Sequence, residues 1–333
     1  MNSQSRIFVA GHRGLVGSAV LRRLRAAGHS NLVLRSHAEL DLTEQMAVRA
    51  FFTRERPEYV FLAAAKVGGI LANANSPADF ISQNLLLQTN VIQEAYRAGV
   101  RRLLFLGSSC IYPRLAPQPL KEEYLLTGPL EWTNRAYAVA KIAGIEMCRS
   151  YHQQYGAEFV ATMPANLYGP GDRYDVVGSH VIPALLRKMH EAKTSGAQAV
   201  RIWGTGAPRR EFLYSEDAAD ACVLLMNLEI SRLAVAVNCT NGGLLVNIGC
   251  GEDITIRELA ERIARVVGFE GRLTFDPSMP DGTPQKVLDT SRMTALGWGA
   301  RTSLEEGLRR TYRDFNANCE STPRNSLVSR QPA

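Results

Sequence analysis

Ser108, Tyr137 and Lys141 are the side chains whose types and spacing could move a proton at a carbonyl or alcohol oxygen. Tyr137 and Lys141 are four residues apart in Tyr137-Ala138-Val139-Ala140-Lys141, so on a helix they share one face. A lysine charge there would lower the phenol's pKa and could also hold a ribose, leaving the phenol to act as acid or base. That spacing also occurs in ordinary helices. Ser108 makes it specific, because it follows the apolar run Leu103-Leu104-Phe105-Leu106 and so stands at the C-terminal end of a strand. Doubly wound sheets place their ligands at such ends, and the serine hydroxyl could polarise the same oxygen.

A redox partner for this centre fits the N-terminus. Gly11, Gly14 and Gly17, with Leu15 and Val16 between the last two, follow the strand-like run Ile7-Phe8-Val9-Ala10 and open a helical stretch. The first glycine permits a tight turn, the second lets backbone approach a pyrophosphate, and the third lets helix pack closely on sheet. A plain glycine-rich turn is the alternative. No Gly-Lys-Ser/Thr follows, which excludes a phosphate loop of the nucleotidase type. The second strand ends Leu34-Arg35-Ser36-His37 with no acid before Glu39, and Arg13 lies inside the glycine turn. Positive groups at both places favour NADP(H) over NAD, unless the two arginines are merely solvated.

The elements that must carry these groups alternate. Strand candidates are Ile7–Ala10, Asn31–Leu34, Tyr59–Ala63, Arg102–Leu106 and Glu158–Met163, and helical stretches Gly14–Ala27, Thr43–Glu55, Phe80–Ala98 and Tyr137–Tyr155 lie between them. This rhythm predicts an α/β fold, a Rossmann-type doubly wound parallel sheet covered on both faces. Residues 1–165 form the dinucleotide-binding domain. After Pro164 the pattern becomes irregular, and residues 166–315 are expected to form a smaller α+β substrate domain, partly interleaved with the first. Its clearest helices are Val181–Glu191 and Ile256–Val267, the latter opened by the capping-box pattern Thr255-Ile256-Arg257-Glu258. From about Asn316 to residue 333 a polar, aperiodic tail is expected to be disordered.

Bulk composition narrows the partners. The net charge is +6, but the basic residues are dispersed and no aromatic-interleaved basic stripe appears, so small anions fit better than nucleic acid. No apolar run approaches the roughly 18–20 residues of a membrane helix, and no secretory segment opens the chain. Six cysteines, at 110, 148, 222, 239, 250 and 319, show neither a CxxC pair nor metal-ligand spacing. A cytoplasmic, reduced, metal-free protein is expected.

Several segments extend the two motifs: Ala10-Gly-His-Arg-Gly-Leu-Val-Gly-Ser18, Ala63-Ala-Ala-Lys-Val-Gly-Gly69, Leu106-Gly-Ser-Ser-Cys-Ile-Tyr-Pro113, Asn166-Leu-Tyr-Gly169, Ser179-His-Val-Ile-Pro-Ala-Leu-Leu186 and Pro280-Asp-Gly-Thr-Pro284. With them the chain, from about Arg6 to Phe315, resembles the extended short-chain dehydrogenase/reductases that act on nucleotide sugars. Within that family it is similar to the members that work on a GDP-linked keto-deoxy sugar. The resemblance implies 3,5-epimerisation of GDP-4-keto-6-deoxy-D-mannose followed by NADPH reduction at C4, giving GDP-L-fucose. It makes Ser108, Tyr137 and Lys141 the catalytic triad, and Cys110 and His180 the acid/base pair of the epimerisation. It assigns cofactor contacts to Asp41, Leu106, Lys141, Pro164, Asn166, Leu167 and His180, and contacts with the GDP-sugar to Lys188, Trp203, Arg210 and Asp281. It also implies a homodimer built on the helices Phe80–Ala98 and Tyr137–Tyr155. One position departs from the pattern: His37 stands where the family can carry a second arginine for the 2′-phosphate.

Those extra residues suit the chemistry. A 4-keto group acidifies the hydrogens on C3 and C5, so epimerisation needs a base and an acid, with the enolate stabilised at the oxygen held by Ser108 and Tyr137. From residue type alone Cys110 is as readily a small buried apolar residue and His180 a helix-start residue; the resemblance favours catalysis. For Trp203 and Arg210 the plain alternative is a packed ring and an ion pair with Glu211. Other epimerases and 4,6-dehydratases of the family remain possible, though a dehydratase would be expected to carry Thr-Asp-Glu where Ser108-Ser109-Cys110 stands. A non-catalytic NADP sensor would be expected to have lost Tyr137 or Lys141.

Overall fold

The structure is a computed structural model that describes residues 1–174, 178–237 and 243–320. Its first half runs β1 (Ile7–Ala10), α1 (Leu15–Ala26), β2 (Leu32–Val33), α2 (Gln45–Glu55) and β3 (Tyr59–Leu62). Then come α3 (Ile70–Asn75), α4 (Pro77–Arg97), β4 (Arg102–Leu106), α5 (Arg135–Tyr155) and β5 (Glu158–Pro164). The second half continues with β6 (Asn166–Tyr168), α6 (Val181–Ser195), β7 (Ala199–Trp203), β8 (Arg209–Tyr214), α7 (Ser215–Asn227), α8 (Ile230–Ala236) and β9 (Leu244–Ile248). It closes with β10 (Asp253–Thr255), α9 (Ile256–Val267), β11 (Arg272–Asp276), β12 (Gln285–Lys286), α10 (Ser291–Ala295) and α11 (Leu304–Glu320).

The expected parallel sheet is present, with six strands in the order β2-β1-β3-β4-β5-β9. Every residue of β1, β3 and β4 is buried, which is why these strands read as continuous apolar runs rather than alternating ones. Phe61 and Phe105 are wholly enclosed between sheet and helices, each worth about 1.5–3 kcal/mol of transfer free energy. Several element bounds differ from the sequence expectation, those of β2 and α4 among them. Edge strand β2 pairs only with β1 and only at Leu32 and Val33. Helix α4 starts three residues earlier than Phe80, at Pro77, whose fixed φ suits a first helical turn.

The chain leaves this sheet within two residues. Pro164 ends β5 in register with Ile248 of β9, and Asn166 begins β6 in register with Phe212 of β8. Strands β10, β8 and β12 with β6, and the separate pair β7–β11, are covered by α6, α9 and α11 around Ile182, Leu186, Met189, Ile263 and Leu308. Helix α9 carries the expected capping box: Glu258 N–H donates to Thr255 Oγ1 at 3.1 Å and Thr255 N–H to Glu258 Oε2 at 2.9 Å. Between these parts the chain returns to the first layer. Helix α7 packs on α1, with Arg23 and Asp220 paired at 2.7 Å, and β9 becomes the sixth strand of the large sheet. The polar tail expected from Asn316 is helical as far as Glu320, as part of α11; residues 321–333 lie outside the described residues. No helix among the described residues is long and apolar enough to cross a membrane.

Candidate active site

Two of the three turn glycines are required by the fold. Gly11 has φ +82°, and a Cβ there would come 2.7 Å from Ala64 N. A Cβ on Gly17 would come 2.1 Å from the Gly11 carbonyl oxygen, so helix and turn could not approach as they do. Gly14 is different: it has an ordinary φ, caps α1, and a Cβ would meet nothing nearer than Gly11 O at 3.4 Å. What a side chain at Gly14 would obstruct is the approach to the exposed start of α1, whose first turn carries no acid to oppose the helix dipole. Beside it His12 Nδ1 is buried without a partner, and Arg13 is exposed. These features fit a dinucleotide pyrophosphate.

At the end of β2, Arg35 donates to Leu34 O and to Glu55 Oε1, both at 2.7 Å. Glu55 is shared by Arg6 and Arg54 as well, so one carboxylate faces three guanidinium groups and the corner keeps a positive excess. Asp41 is hydrogen-bonded within its own turn. One of its oxygens accepts from Thr43 N–H at 2.9 Å and Thr43 Oγ1 at 2.7 Å, and these bonds hold its pKa below the ordinary carboxylate value. His37 is exposed, 3.9 Å from Asp41. The corner thus sets a turn-bound carboxylate beside a cluster of guanidinium groups.

Beyond the carboxyl ends of β4 and β5, a cavity of about 290 Å³ is lined by Ser108, Cys110, Tyr137, Asn166 and His180. Its farther wall carries Lys188, Trp203, Arg210 and Asp281. Ser108 caps a short 3-10 turn, Ser109–Ile111, and its Oγ accepts from Cys110 N–H at 3.3 Å, which fixes the thiol one turn past the strand end. Tyr137 lies in the first turn of α5, edge-on to Phe80 at 6.2 Å. Lys141, one turn on, is buried and donates to Leu106 O at 2.8 Å. Its ammonium lies 4.8 Å from the Phe105 ring centre and 5.8 Å from that of Tyr137.

The expected lowering of the phenol's pKa by Lys141 is corrected by the surroundings. Burial raises Tyr137 well above the ordinary phenol, Cys110 adds to the rise, and the hydrogen bond with Ser108 offsets only part of it. The lysine itself is pulled down to about 8 by burial, because its ammonium has exchanged water for one carbonyl. Tyr137 is therefore a neutral donor. Burial also raises Cys110, partly opposed by Lys286, Ser108 and Lys141, and lowers His180. His180 occupies the cap position of α6 without making a side-chain cap, so its ring remains accessible from the cavity. At neutral pH the cavity then holds a protonated thiol and an unprotonated imidazole.

On the farther wall, Lys188 lies 4.5 Å from the centre of the Trp203 ring, which is 37% exposed. Burial lowers Lys188, and lowers Arg210 to about 10, still a cation at neutral pH. Arg210 donates to Arg209 O and Asp281 O at 2.9 and 3.2 Å and not to Glu211, which instead accepts from Gly251 N–H and Leu288 N–H, both at 2.7 Å. The Asp281 carboxylate accepts from Thr205 N–H and Oγ1 at 2.8 and 2.7 Å, fastening the turn after Trp203. Gly11 to Gly17, Arg13, Arg35 and Asp41 lie outside this cavity. Leu106, Pro164 and Leu167 are not in its lining either, although they occupy the ends of β4 and β5 and the start of β6 beside it. Lys286, Glu131 and Asn73 also line the cavity, and the sequence motifs did not single them out.

A parallel nucleotide-type sheet, a glycine turn at its first strand and a Ser/Tyr/Lys centre at its carboxyl edge define an extended short-chain dehydrogenase/reductase. The chain belongs to the NAD dependent epimerase/dehydratase family, whose pattern matches residues 7–236. It is 56% identical over 311 residues to GDP-L-fucose synthase 1 of Arabidopsis thaliana, covering 93% of each chain. The solved GDP-6-OMe-4-keto-L-xylo-heptose reductase of C. jejuni superimposes with a TM-score of 0.90 at 39% identity, covering 96% of this chain and 99% of that one. A GDP-L-fucose synthetase of Naegleria fowleri, bound to NADP, superimposes with a TM-score of 0.84 at 27% identity, covering 96% and 97%.

Proposed function

We propose that this protein catalyses the NADPH-dependent conversion of GDP-4-keto-6-deoxy-D-mannose to GDP-L-fucose, by epimerisation at C3 and C5 and then reduction at C4. The observation that carries this reading is one cavity holding two kinds of proton-transfer group: the Ser108/Tyr137 pair and the Cys110/His180 pair. A simple reductase needs only the first. Relatives named for GDP-L-fucose synthesis, and a related structure bound to NADP, support the same substrate and cofactor.

Ser108 and Tyr137 would hold the C4 oxygen, stabilising an enolate during epimerisation, and Tyr137 would deliver its proton to that oxygen during reduction. Gly11, Gly14 and Gly17 would cradle the pyrophosphate of NADPH and Arg13 and Arg35 would serve its additional phosphate, and the bound cofactor would supply the hydride. Lys141 would hold the ribose beside Tyr137. His180, arriving unprotonated, can take the acidified hydrogen, and Cys110, arriving protonated, can return one on the other face; both would then exchange protons with water before the second carbon reacts. Lys188 and Arg210 are the cations suited to the diphosphate, and Trp203 offers a ring face. Helices α4 and α5 pack side by side and leave Leu86, Val139 and Tyr155 exposed, which favours a homodimer through that face.

The test is incubation with NADPH and GDP-4-keto-6-deoxy-mannose, following NADPH absorbance and identifying the sugar. GDP-L-fucose is the expected product. Reduction to an unepimerised sugar would leave a reductase only, and no NADPH consumption would overturn the proposal. Light scattering at micromolar concentration should report twice the chain mass; a monomer would remove the dimer.

A further inference from the structure

We propose that Lys286 is a positioning residue for the acid/base chemistry of Cys110: its ammonium is the counter-charge that lets the sulfur give up its proton inside the cavity. This rests on the reading that Cys110 exchanges protons with the sugar. Lys286 reaches the cavity from β12, in register with Arg210 on β8, so two cations stand on adjacent strands at the wall that also holds Cys110. Among the described residues no hydrogen bond or ion pair ends on the Lys286 ammonium. Glu131 is the carboxylate of this wall, and it is already engaged: it is 6% exposed, meets Arg114 at 3.0 Å and accepts from Thr133 N–H and Oγ1 at 3.3 and 3.2 Å.

The other groups facing Cys110 do not do this work. Lys141 is tied to Leu106 O, Tyr137 is neutral, and Ser108 brings no charge. Burial raises the thiol, and Lys286 is the largest charge opposing that rise. Reciprocally, burial pulls Lys286 down to about 8, with Cys110 and Glu131 opposing and Arg210 adding to the fall. A cation in a cavity with no partner is costly unless a negative charge appears beside it during the reaction. Such a charge does appear. When Cys110 protonates the substrate carbon, the S–H bond breaks, a C–H bond forms, and the enolate's negative charge moves to sulfur, where Lys286 can stabilise it until a proton returns.

The experiment reads the thiol directly, with neither sugar nor cofactor present. Alkylation of Cys110 by iodoacetamide is followed against pH, by mass spectrometry of the peptide that contains it. In Lys286→Met the midpoint is expected to rise by about one pH unit or more, the scale of losing a nearby opposite charge, which slows alkylation at a fixed lower pH about tenfold. Lys286→Arg keeps a charge at every accessible pH and should hold the midpoint at or below the native one. Should the methionine variant fail to fold, the arginine variant still decides, because a raised midpoint there overturns the proposal. An unchanged midpoint in folded Lys286→Met overturns it too. A shifted midpoint in a protein whose native form never admits deuterium at C3 or C5 would uphold the Lys286–Cys110 coupling and remove the epimerase reading instead.

Discussion

Replacing Tyr137 by phenylalanine removes one oxygen and leaves a ring of the same shape in the same place. The ring's edge-on contact with Phe80 at 6.2 Å and its place in the first turn of α5 are unaffected, so the fold should not register the change. What disappears is the donor that shares a hydrogen bond with Ser108. A positioned general acid contributes about 10²–10⁴ in rate, or about 2.7–5.4 kcal/mol, and reduction at C4 should fall by that much. Deuterium entry at C3 and C5 should fall as well, by about 10², because the enolate oxygen loses one of two donors. Burial holds the native phenol well above its ordinary pKa, so its proton is present over about pH 6–9 and the variant's deficit should be the same throughout. The assay is single-turnover loss of NADPH absorbance with the keto-sugar, beside an NADPH titration that should stay within about twofold of native because Lys141 and the glycine turn are intact. Reduction within about tenfold of native, or a deficit that vanishes at one end of the pH range, would show that Tyr137 does not supply the proton.

Gly17→Ala drives a Cβ into the Gly11 carbonyl 2.1 Å away, a backbone atom with nowhere to go, so both Tm and NADPH affinity should drop. Gly14→Ala has room in the free protein and should keep its Tm while weakening NADPH at least about tenfold; unchanged affinity would mean that no pyrophosphate approaches there. Preference for NADPH over NADH should depend more on Arg13 than on Arg35, whose fork already serves Glu55 and Leu34 O. One charge-assisted contact is worth about 1.5–3 kcal/mol, so Arg13→Ala should cost about tenfold or more in discrimination, and equal use of both cofactors by the native protein would contradict the assignment. Cys110→Ala and His180→Asn should each block deuterium entry at C3 and C5, with an NADP-type cofactor present that cannot donate hydride, without abolishing NADPH binding. If both variants exchange at the native rate, the two side chains are packing.

The large sheet was legible because β1, β3 and β4, between two helical layers, are almost wholly apolar runs, as Ile7–Ala10 and Arg102–Leu106 show apart from Arg102 itself. Strand β9 was not, although Leu244–Ile248 is apolar but for Asn247, because β6, β7 and β8 of other sheets separate it along the chain from its neighbour β5 and nothing local announces that return. The same limit applies to the site. Tyr137 and Lys141 share one helix and Ser108 ends one strand, so their relation could be read from spacing. Lys286 meets the cavity only through the pairing of β12 with β8, between segments about 75 residues apart, and no period in the sequence encodes that meeting.

Spacing located the Tyr137/Lys141 pair but could not show how far burial shifts its two groups. Four residues along a helix do bring the Lys141 ammonium to 5.8 Å from the Tyr137 ring, and in water that proximity would favour the phenolate. Here both groups have lost their water. The lysine, held by Leu106 O, falls to about 8, and the phenol rises. Burial disfavours the charged form of each partner, so it lowers the lysine's pKa and raises the phenol's, favouring the neutral form of both. That is the state a reductase needs before hydride transfer, since the oxygen that becomes an alcohol must receive a proton rather than face an anion. Which groups are neighbours follows from a helix period; how much water they have lost follows from β4, α4 and the cavity wall closing around them, and only the assembled fold supplies that.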